Sequence, residues 1–175
     1  MWKWLYPHYY VGSVLELTPE RLRAINVECL LLDVDCTLKR YGHQEPEPEI
    51  SAWINLLKSE GVALCLLSNG VASRIGAFAA RVDLPFIAKA CKPLPSGCRR
   101  AIRDLAVDPA RTMLVGDQIF TDIAAGRLAG IRTTLTVPIA PEEEHWFTRI
   151  KRPFEKIVLR SFLKEKPRAL PFTDE

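Results

Sequence analysis

Short apolar runs alternate with amphipathic stretches along the chain, which is typical of a parallel sheet whose strands are joined by helices. Five continuous apolar runs predict buried strands, at residues 28–34, 62–67, 85–88, 112–115 and 132–137. Helical spacing between these runs predicts connecting helices, at residues 19–25, 50–60, 71–81, 96–105 and 119–128. We therefore expect an α/β protein in which a five-stranded parallel sheet lies between two layers of helices.

Several of the predicted helix ends have local signals. Thr18 is placed as an N-cap, with Pro19 at the first helical position. Ser96 is placed as the N-cap of a later helix, and Gly61 ends the helix over residues 50–60. These signals support the helix assignments but carry no information about function.

Polar motifs follow four of the predicted strands, at the point where each strand ends. In chain order they are Asp33-Val34-Asp35-Cys36-Thr37-Leu38, Ser68-Asn69-Gly70, Lys92-Pro93 and Gly116-Asp117-Gln118-Ile119-Phe120-Thr121-Asp122. Ligands of parallel α/β sheets bind outside the carboxyl ends of the strands. We therefore expect the four motifs to meet at one edge of the sheet and to form a site there.

The residue types in these motifs suit phosphoryl transfer. Asp33 and Asp35 are two residues apart just past a strand, so one carboxylate can attack phosphorus while the other handles protons. A dianionic phosphate repels a carboxylate nucleophile, so the site needs positive charge. Mg²⁺ prefers oxygen ligands and would be held by Asp33 and Asp117, while Lys92 would add a fixed ammonium. Ser68 and adjacent backbone N–H groups would donate hydrogen bonds to the phosphoryl oxygens.

The four motifs, in this order, resemble those of the haloacid dehalogenase superfamily, and the match covers residues 29–137. The resemblance implies a three-layer Rossmann-like fold and makes Asp33 the nucleophile that forms an aspartyl-phosphate. It makes Asp35 the general acid for the leaving oxygen and then the base that activates water, while Thr37 fixes the turn. Dehalogenase members lack an acid two residues after the nucleophile, so Asp35 indicates a phosphatase.

The resemblance also implies which residues bind phosphate and metal. The phosphate-binding residues would be Ser68, Asn69 and Lys92. The Mg²⁺ ligands would be Asp33, the backbone carbonyl of Asp35, Asp117, and Asp122 either directly or through water. Lys89 is an alternative to Lys92, and the resemblance favours Lys92 because it stands in a Lys-Pro pair before a helix.

The gaps between the motifs leave no room for a cap domain. Residues 39–67 hold only a loop, a helix and a strand, and residues 71–91 hold a helix and a short strand. A site without a cap is open, so its specificity depends on the bulk of the substrate or on the surface where the substrate lies. Such a site suits a macromolecular or membrane-embedded substrate better than a small free metabolite.

Finer details resemble the YqeG-type branch of subclass IIIA, which is related to the mitochondrial phosphatidylglycerophosphate phosphatases. The resemblance lies in residues 116–122, in the aromatic N-terminal segment and in Val137-Pro138 after the last strand. It implies hydrolysis of phosphatidylglycerophosphate to phosphatidylglycerol. The branch usually has Asn where this chain has Cys36, and we expect the Cys36 side chain to serve the turn and not the chemistry.

Composition excludes several classes of protein. The chain has 175 residues, 48% of them hydrophobic and 26% charged, which excludes wholesale disorder and indicates one domain. No apolar run approaches the roughly 20 residues of a membrane span, and the early Pro7 argues against a signal peptide. The five cysteines form no zinc pattern with the histidines, and Cys29 and Cys65 lie in apolar runs typical of core thiols. We therefore expect a cytoplasmic protein.

The net charge of +3 is unevenly distributed. Residues 149–168 contain eight lysines and arginines against two acids, whereas residues 1–148 are close to neutral. In this basic segment apolar residues recur at helical spacing beside a ladder of cations, namely Phe154, Ile157, Val158 and Phe162 beside Lys156, Arg160 and Lys164. The pattern predicts a basic amphipathic helix, which would suit the anionic inner face of a membrane.

The two ends of the chain keep more than one interpretation. Aromatic residues that favour membrane interfaces are clustered near the start: Trp2, Trp4, Tyr6, Tyr9 and Tyr10. In one interpretation these aromatic residues contact the membrane together with the basic helix. In the other, both ends of the chain pack on the flank and edge of the sheet. Alternatively, Arg149, Lys151 and Arg152 line the rim of the active site and recruit phosphorylated substrate. We divide the chain into an N-terminal segment 1–28, a core 29–140 and a basic C-terminal segment 141–175.

Three function hypotheses follow from these observations. The leading one is a Mg²⁺-dependent phosphatase that acts on phosphatidylglycerophosphate, an anionic phospholipid, with peripheral contact to the membrane. The second is the same chemistry on a soluble sugar, nucleotide or protein phosphate. The third is a binding or scaffold protein with a vestigial site. Nucleic acid is not an expected partner, because the basic segment has no accompanying recognition motif.

Overall fold

The computed structural model describes residues 2–143 and 146–165, with only the backbone of residues 146–149. In this part of the chain six strands form one sheet: β1 (Tyr9–Val11), β2 (Cys29–Leu32), β3 (Ala63–Leu67), β4 (Phe86–Ile87), β5 (Thr112–Gly116) and β6 (Arg132–Thr136). The α-helices are α1 (Pro19–Ala24), α2 (Pro48–Ser59), α3 (Ala72–Val82), α4 (Ser96–Leu105), α5 (Ala124–Ala129) and α6 (Trp146–Glu165). A π-helical turn, Ile119–Ile123, runs directly into α5.

The sheet has the order β1-β6-β5-β2-β3-β4, and every pairing is parallel. From the central strand β2 the chain first winds outward through β3 and β4, and it then returns to β5 and β6 on the other side. The winding direction therefore changes between β2 and β5. Parallel α/β sheets bind ligands at such a switch point, which places the candidate site at the ends of these two strands.

Strand β1 is the element that the hydrophobic pattern fails to predict, so the expected five-stranded sheet has six strands. Tyr9–Val11 is too short to show a periodicity, and it lies between the two chain breakers Pro7 and Gly12. It pairs with β6, with Tyr10 opposite Leu135. Because the partner strand comes more than a hundred residues later, no local signal encodes the pairing.

The sheet separates two apolar layers, as the continuous apolar strands predict. On one face Leu30 and Leu32 of β2 join a cluster with residues of α1, α2 and α3. On the other face Leu31 joins residues of α4 and α5, and this second cluster includes Cys29 and Cys65. The predictions of a three-layer α/β fold and of two core thiols are confirmed.

The predicted helix starts have different outcomes. Thr18 caps α1 by accepting a hydrogen bond from the Arg21 N–H, and Pro19 is the first helical residue. The assignment of Ser96 as an N-cap is wrong, because Ser96 is already the first residue of α4 and Pro95 precedes it as the cap. Pro95 itself has helical backbone angles (φ −77°, ψ −5°), so the turn begins one residue early and needs no side-chain cap.

The connections around the candidate site are short. In the described chain α2 alone joins β2 to β3, and α3 alone joins β3 to β4. No further domain is inserted at these described crossovers. The predicted absence of a cap is therefore confirmed, and the carboxyl edge of the sheet stays accessible between these helices.

The N-terminal segment packs against α6, which agrees with the packing interpretation for part of the aromatic cluster. The Tyr6 hydroxyl lies 2.7 Å from Ser161 Oγ, and the Tyr6 ring meets the Phe162 ring edge-on with 5.5 Å between centroids. Trp2 and Trp4, in contrast, remain half exposed. The aromatic cluster is thus divided between a packed part and an exposed part.

Helix α6 has apolar side chains on two faces, not on the single face that its spacing predicts. Val158 and Phe162 are buried against the core, whereas Phe154 is 62% exposed and Ile157 is 59% exposed. Phe154 and Ile157, at i, i+3, are neighbours on the helix surface, and both stay exposed while Val158 and Phe162 are buried. Among the residues that the structure describes, no helix is long and apolar enough to cross a membrane.

Candidate active site

The ends of four strands bring the predicted motifs to one edge of the sheet. Asp33 follows β2, Ser68 follows β3, Lys92 lies beyond β4, and Asp117 follows β5. Asp33 and Asp117 therefore flank the switch point at the centre of the sheet. A cavity of about 300 Å³ opens here, and Asp33, Ser68 and Lys92 are among the residues that line it.

Three buried carboxylates form the base of the site. Asp33, Asp117 and Asp122 offer oxygen atoms that all lie within 4.8 Å of one another. The Lys92 ammonium lies among them, with Nζ 2.5 Å from Asp33 Oδ1 and 2.7 Å from Asp122 Oδ1. It also donates to the backbone carbonyl of Leu67 at 2.7 Å. Four residues from three separate motifs thus form one ionic cluster.

The two candidate lysines have different surroundings. Lys92 is buried at the carboxylate cluster, whereas Lys89 is exposed. Lys89 also has a positive φ of 48°, which turns the chain after β4. Among the described residues, the geometry therefore places the Lys92 ammonium, and not that of Lys89, against Asp33.

Burial and mutual repulsion shape the acid–base properties of the cluster. Burial raises the pKa of Asp33 to about 6, although the charge of Lys92 opposes this effect. Burial also raises the pKa of Asp117 well above its usual range, and the charge of Asp33 adds to it. Burial by itself would lower the pKa of Lys92, but the charges of Asp122 and Asp33 raise it. The carboxylates thus carry a repulsion that a further cation would relieve.

The donor set fits a divalent cation of the magnesium type. Mg²⁺ takes oxygen ligands, and Asp33, Asp117 and Asp122 each supply a carboxylate oxygen, all within 4.8 Å of one another. The described part of the chain brings no thiol or imidazole into this group, which disfavours a softer metal. The three predicted carboxylate ligands are thus together, and the backbone carbonyl of Asp35 stays a predicted ligand.

Asp35 lies at the cavity wall and not in the carboxylate cluster. Arg74 Nη1 and Nη2 donate to its Oδ1 and Oδ2, each at 2.7 Å, and Lys39 Nζ donates to Oδ1 at 2.6 Å. Burial raises the pKa of Asp35, but the hydrogen bonds from Arg74 and Lys39 outweigh burial, so its pKa lies below the usual range. Asp33 and Asp35 therefore have pKa values that are displaced in opposite directions.

The turn after Asp35 positions Thr37. The Thr37 hydroxyl donates to Asp117 Oδ1 at 3.2 Å, so it links the β2 turn to the β5 turn. Cys36, just before it, has a φ of 63°, in the left-handed region that Asn tolerates better than most residues. This conformation explains why an Asn at this position suits the turn, and it agrees with a role of Cys36 in the backbone geometry.

The second motif contributes the hydroxyl of Ser68 and the side-chain amide of Asn69. Ser68 is buried at the cavity, and its Oγ accepts a hydrogen bond from the Gly70 N–H at 3.1 Å. The Asn69 side chain holds the backbone of Lys92, because Oδ1 accepts from the Lys92 N–H at 2.7 Å and Nδ2 donates to its carbonyl at 2.9 Å. Asn69 thus fixes the lysine, while its predicted contact with phosphate stays a prediction.

Asp122 is held in place by the π-helical turn and by a glycine. Its Oδ2 accepts a hydrogen bond from the Gln118 N–H at 3.1 Å. A Cβ atom on Gly116 would lie only 2.3 Å from the Asp122 Cγ, so any larger residue at position 116 would displace this carboxylate. Asp122 can therefore occupy this position only because residue 116, in the fourth motif, is a glycine.

Helix α6 also reaches the site. Lys151 lines the active-site cavity, and the Arg152 guanidinium forms an ion pair with the Asp117 carboxylate. Arg152 Nη1 also donates to the Asp117 carbonyl at 2.7 Å. The prediction that basic residues of this segment lie at the rim therefore fits Lys151 and Arg152. The side chain of Arg149, and residues 166–168 of the predicted basic segment, lie outside the described residues.

Sequence reasoning missed three charged residues that contact the predicted site. Lys39 and Arg74 hold Asp35, and Glu155 accepts from the Phe120 N–H at 3.0 Å. For Arg74 a signal was present, because it stands in the first turn of the helix that follows the second motif, and the start of that helix faces the site. Lys39 and Glu155 have no comparable signal in the chain.

A second, larger cavity lies beside the first. It has a volume of about 580 Å³, and Asp117 and Arg152 lie in its wall. Most of its other lining is apolar, with Tyr10, Ile119, Leu135, Val137, Pro138 and Leu159 contributing. The predominantly apolar cavity therefore has one residue of the carboxylate cluster, Asp117, in its wall.

Comparison with protein families gives a match over most of the chain. The model of the haloacid dehalogenase-like hydrolases matches residues 5–130. A probable phosphatase of Bacillus subtilis (strain 168), YqeG, is 32% identical over 164 residues, which are 94% of this chain and 94% of that protein. The residues that the family model matches include the positions of all four motifs.

Solved structures share the fold at low sequence identity. A cobalt-bound deoxy-D-mannose-octulosonate 8-phosphate phosphatase of Haemophilus influenzae has a TM-score of 0.55 and 15% identity, covering 81% of this chain and 91% of that chain. An uncharacterized protein of Listeria monocytogenes has a TM-score of 0.53 and 15% identity, covering 77% and 99%. At this level of identity the likeness concerns the arrangement of strands and helices.

Proposed function

The chain belongs to the haloacid dehalogenase-like hydrolases and is a phosphatase of this family, and on that premise we propose that it hydrolyses phosphatidylglycerophosphate to phosphatidylglycerol with Mg²⁺. The observation that carries the chemistry is the cluster of Asp33, Asp117 and Asp122 around Lys92 at the floor of an open cavity. The lipid substrate is the finer part of the proposal, and it rests on the second, mainly apolar cavity and on the exposed face of α6.

Asp33 is the proposed nucleophile. Its carboxylate attacks phosphorus, the bond from phosphorus to the substrate oxygen breaks, and an aspartyl-phosphate forms. Lys92 and Ser68 line the same cavity and would donate hydrogen bonds to the phosphoryl oxygens. Mg²⁺, held by Asp33, Asp117 and Asp122, would neutralise the charge of the phosphate when it is bound. Positive charge thus reaches the phosphate from the ammonium and from the metal site.

Asp35 is the proposed acid and base. It would give a proton to the leaving oxygen, which departs as the glycerol hydroxyl. It would then take a proton from the water that attacks phosphorus, and this step releases inorganic phosphate and restores the Asp33 carboxylate. Because Arg74 and Lys39 hold the Asp35 carboxylate, both cations help to orient it towards the cavity.

Two features support an amphiphilic substrate. The site has no cap, so a bulky molecule can approach the carboxyl edge of the sheet. The apolar cavity of about 580 Å³ borders Asp117 and has room for part of a lipid's apolar body. Apolar side chains such as Ile119 and Leu135 line this second cavity and would contact the apolar part of the substrate.

The outer face of α6 supports contact with an anionic membrane. Ile150, Phe154 and Ile157 are each more than half exposed and follow one another at i, i+4, i+7. The basic side chains of Lys156 and Arg160 are exposed on the same helix. Such a combination of exposed apolar and basic residues is typical of helices that lie on anionic bilayers. Lys151 joins this face to the active-site cavity.

The proposal is tested with purified full-length protein and phosphatidylglycerophosphate in mixed micelles containing Mg²⁺. The wild-type protein should release inorganic phosphate, and Asp33→Asn should abolish the release, whereas the exposed control Asp104→Asn should retain it. A wild-type protein that is inert on the lipid but rapid on soluble phosphomonoesters would show that the substrate is a soluble sugar, nucleotide or protein phosphate. Inactivity on all phosphomonoesters would favour a binding protein.

A further inference from the structure

The C-terminal helix contacts the metal-ligand loop through two consecutive turns of α6. Arg152 forms an ion pair with the Asp117 carboxylate and donates to the Asp117 carbonyl at 2.7 Å. Its side chain is only 16% exposed, so the pair is shielded from water. Asp117 is thereby held at its side chain and at its backbone by one guanidinium, which is the planar fork best suited to a carboxylate.

Glu155 completes this contact three residues later. Its carboxylate is buried, with Oε1 accepting from the Phe120 N–H at 3.0 Å and Oε2 accepting from Arg152 Nη1 at 3.3 Å. The Phe120 N–H is at the start of the π-helical turn Ile119–Ile123. Glu155 thus anchors the segment that connects Asp117 to Asp122, and it also orients Arg152.

The Asp117 carboxylate is therefore held from two sides of the fold. Thr37 donates to Oδ1 from the turn after β2, and Arg152 contacts Oδ2 from α6. The two contacts reach different oxygens of the same carboxylate, so together they fix the direction of the Asp117 side chain. A buried carboxylate with two such donors has one preferred orientation, and this is the orientation that brings it within 4.8 Å of Asp33 and Asp122.

We propose that Arg152 and Glu155 are positioning residues of the metal site, which set the Asp117 carboxylate and the following turn for a divalent cation. The inference rests on the proposed function only in that the carboxylate cluster binds a divalent cation, and not on the identity of the substrate. It makes the C-terminal helix a structural part of the catalytic centre. Partners that orient a metal ligand typically contribute about 10- to 100-fold in metal affinity.

Calorimetric titration of Mn²⁺ and Mg²⁺ into the full-length protein, without substrate, tests this inference. Arg152→Ala and Glu155→Ala should each weaken metal binding by about 10- to 100-fold. Arg152→Lys should recover part of the loss, because it restores the charge but not the fork. Arg103→Ala, at an exposed arginine of α4, is the matched control and should bind metal like the wild type.

Two further readouts separate positioning from general damage. With a soluble phosphomonoester, both alanine variants should need more Mg²⁺ for half-maximal rate, while kcat at saturating Mg²⁺ changes less than the metal affinity. Amide hydrogen exchange at Phe120 should accelerate in Glu155→Ala, because its acceptor is lost. If Arg152→Ala does not fold, Arg152→Lys and Glu155→Gln carry the same test with smaller changes in packing.

Several outcomes would overturn the inference. Wild-type metal affinity in Arg152→Ala would mean that Asp117 needs no positioning, and tighter binding would mean that the guanidinium competes with the cation. A wild-type protein that binds no divalent cation would overturn it as well. Failure of the lipid assay alone, with the expected losses of metal affinity, would contradict the lipid substrate and leave the positioning role supported.

Discussion

Arg74 binds the Asp35 carboxylate through both terminal guanidinium nitrogens, with Nη1 2.7 Å from Oδ1 and Nη2 2.7 Å from Oδ2. Lys39 adds a third contact at 2.6 Å. A carboxylate held by two cations stays ionised to lower pH than usual, and the lowered pKa of Asp35 follows from these contacts although burial acts against them. The residue proposed to donate a proton is thus biased towards its ionised form, which suits its second role as a base.

Removal of the Arg74 guanidinium should therefore change the pH dependence of the reaction. In Arg74→Ala the pKa of Asp35 should rise. Burial raises this pKa, and without the Arg74 guanidinium only the contact with Lys39 would oppose it. The alkaline limb of the profile of kcat/KM against pH, which reports the acid, should move to higher pH. The measurement is the rate on a soluble phosphomonoester across the acidic and alkaline range.

Arg74→Lys is the matched variant for this experiment. It keeps one positive charge but loses the two-pronged contact, so its alkaline limb should lie between those of the wild type and Arg74→Ala. An unchanged profile in Arg74→Ala would show that Asp35 is not the group whose ionisation sets the alkaline limb.

Gly116→Ala should displace Asp122 and weaken the metal site. The added methyl group would lie 2.3 Å from the Asp122 Cγ, and a core with this overlap typically loses about 1–3 kcal/mol of unfolding free energy. Denaturant unfolding measures the stability, and calorimetric titration with Mn²⁺ measures the metal affinity. A variant with wild-type stability and metal affinity would contradict the close packing of this glycine against the acid.

The sequence was sufficient for the parts of the site that lie next to a strand. Asp33, Ser68 and Asp117 could be predicted because a continuous apolar run marks the strand before each of them, and parallel strands bring their carboxyl ends to one edge. The choice of Lys92 over Lys89 needed the resemblance to a family, because both lysines follow the same short strand. Only the folded structure distinguishes them, because Lys92 is buried and Lys89 is exposed.

Other parts of the site depend on tertiary packing and could not be predicted from local sequence. Arg152 and Glu155 reach Asp117 only because α6 packs against Tyr6 and the π-helical turn, and both contacts join residues far apart in the chain. The same reason explains β1, whose pairing partner is β6. The spacing in α6 gave the correct helix, but it could not tell which apolar residues face the core.

The metal-free protein should lose stability as the pH rises from about 4 to about 6 and above. Burial raises the pKa of Asp33 to about 6 in the folded chain, so folding is favoured when this group is protonated, and that contribution is lost as the pH passes through its folded pKa. The raised pKa of Asp117 acts in the same direction. The lowered pKa of Asp35 makes stability rise with pH instead, but this effect is confined to more acidic pH.

Thermal unfolding with a chelator present checks this prediction. Tm should be lower at about pH 7.5 than at about pH 5, and Mg²⁺ should restore it most at the higher pH, where the carboxylates are ionised. Asp117→Asn removes one titrating group and should reduce both the pH dependence and the effect of Mg²⁺. Equal Tm values across this pH range would contradict the desolvated state of the cluster.

Two phenylalanines of α6 should have opposite phenotypes. Phe162 is fully buried and packs on Tyr6, so Phe162→Ala should lower the unfolding free energy by about 3–5 kcal/mol. Phe154 is 62% exposed, so Phe154→Ala should change stability by no more than about 0.5 kcal/mol. Phe154→Ala should instead weaken co-sedimentation with anionic vesicles, and undiminished co-sedimentation would contradict the proposed membrane face.

The two candidate phosphate-binding lysines can be separated by one pair of substitutions. Lys92→Met keeps the length of the side chain but removes the ammonium that lies 2.5 Å from Asp33 Oδ1, so kcat should fall by at least about 10²-fold. The same change also removes the cation that opposes the raised pKa of Asp33, so the acidic limb of the profile of rate against pH should move to higher pH. Lys89→Met changes an exposed side chain and should stay within about twofold of the wild-type rate. Rates on a soluble phosphomonoester at saturating Mg²⁺ decide the question, and a large loss in Lys89→Met with little loss in Lys92→Met would reverse the assignment.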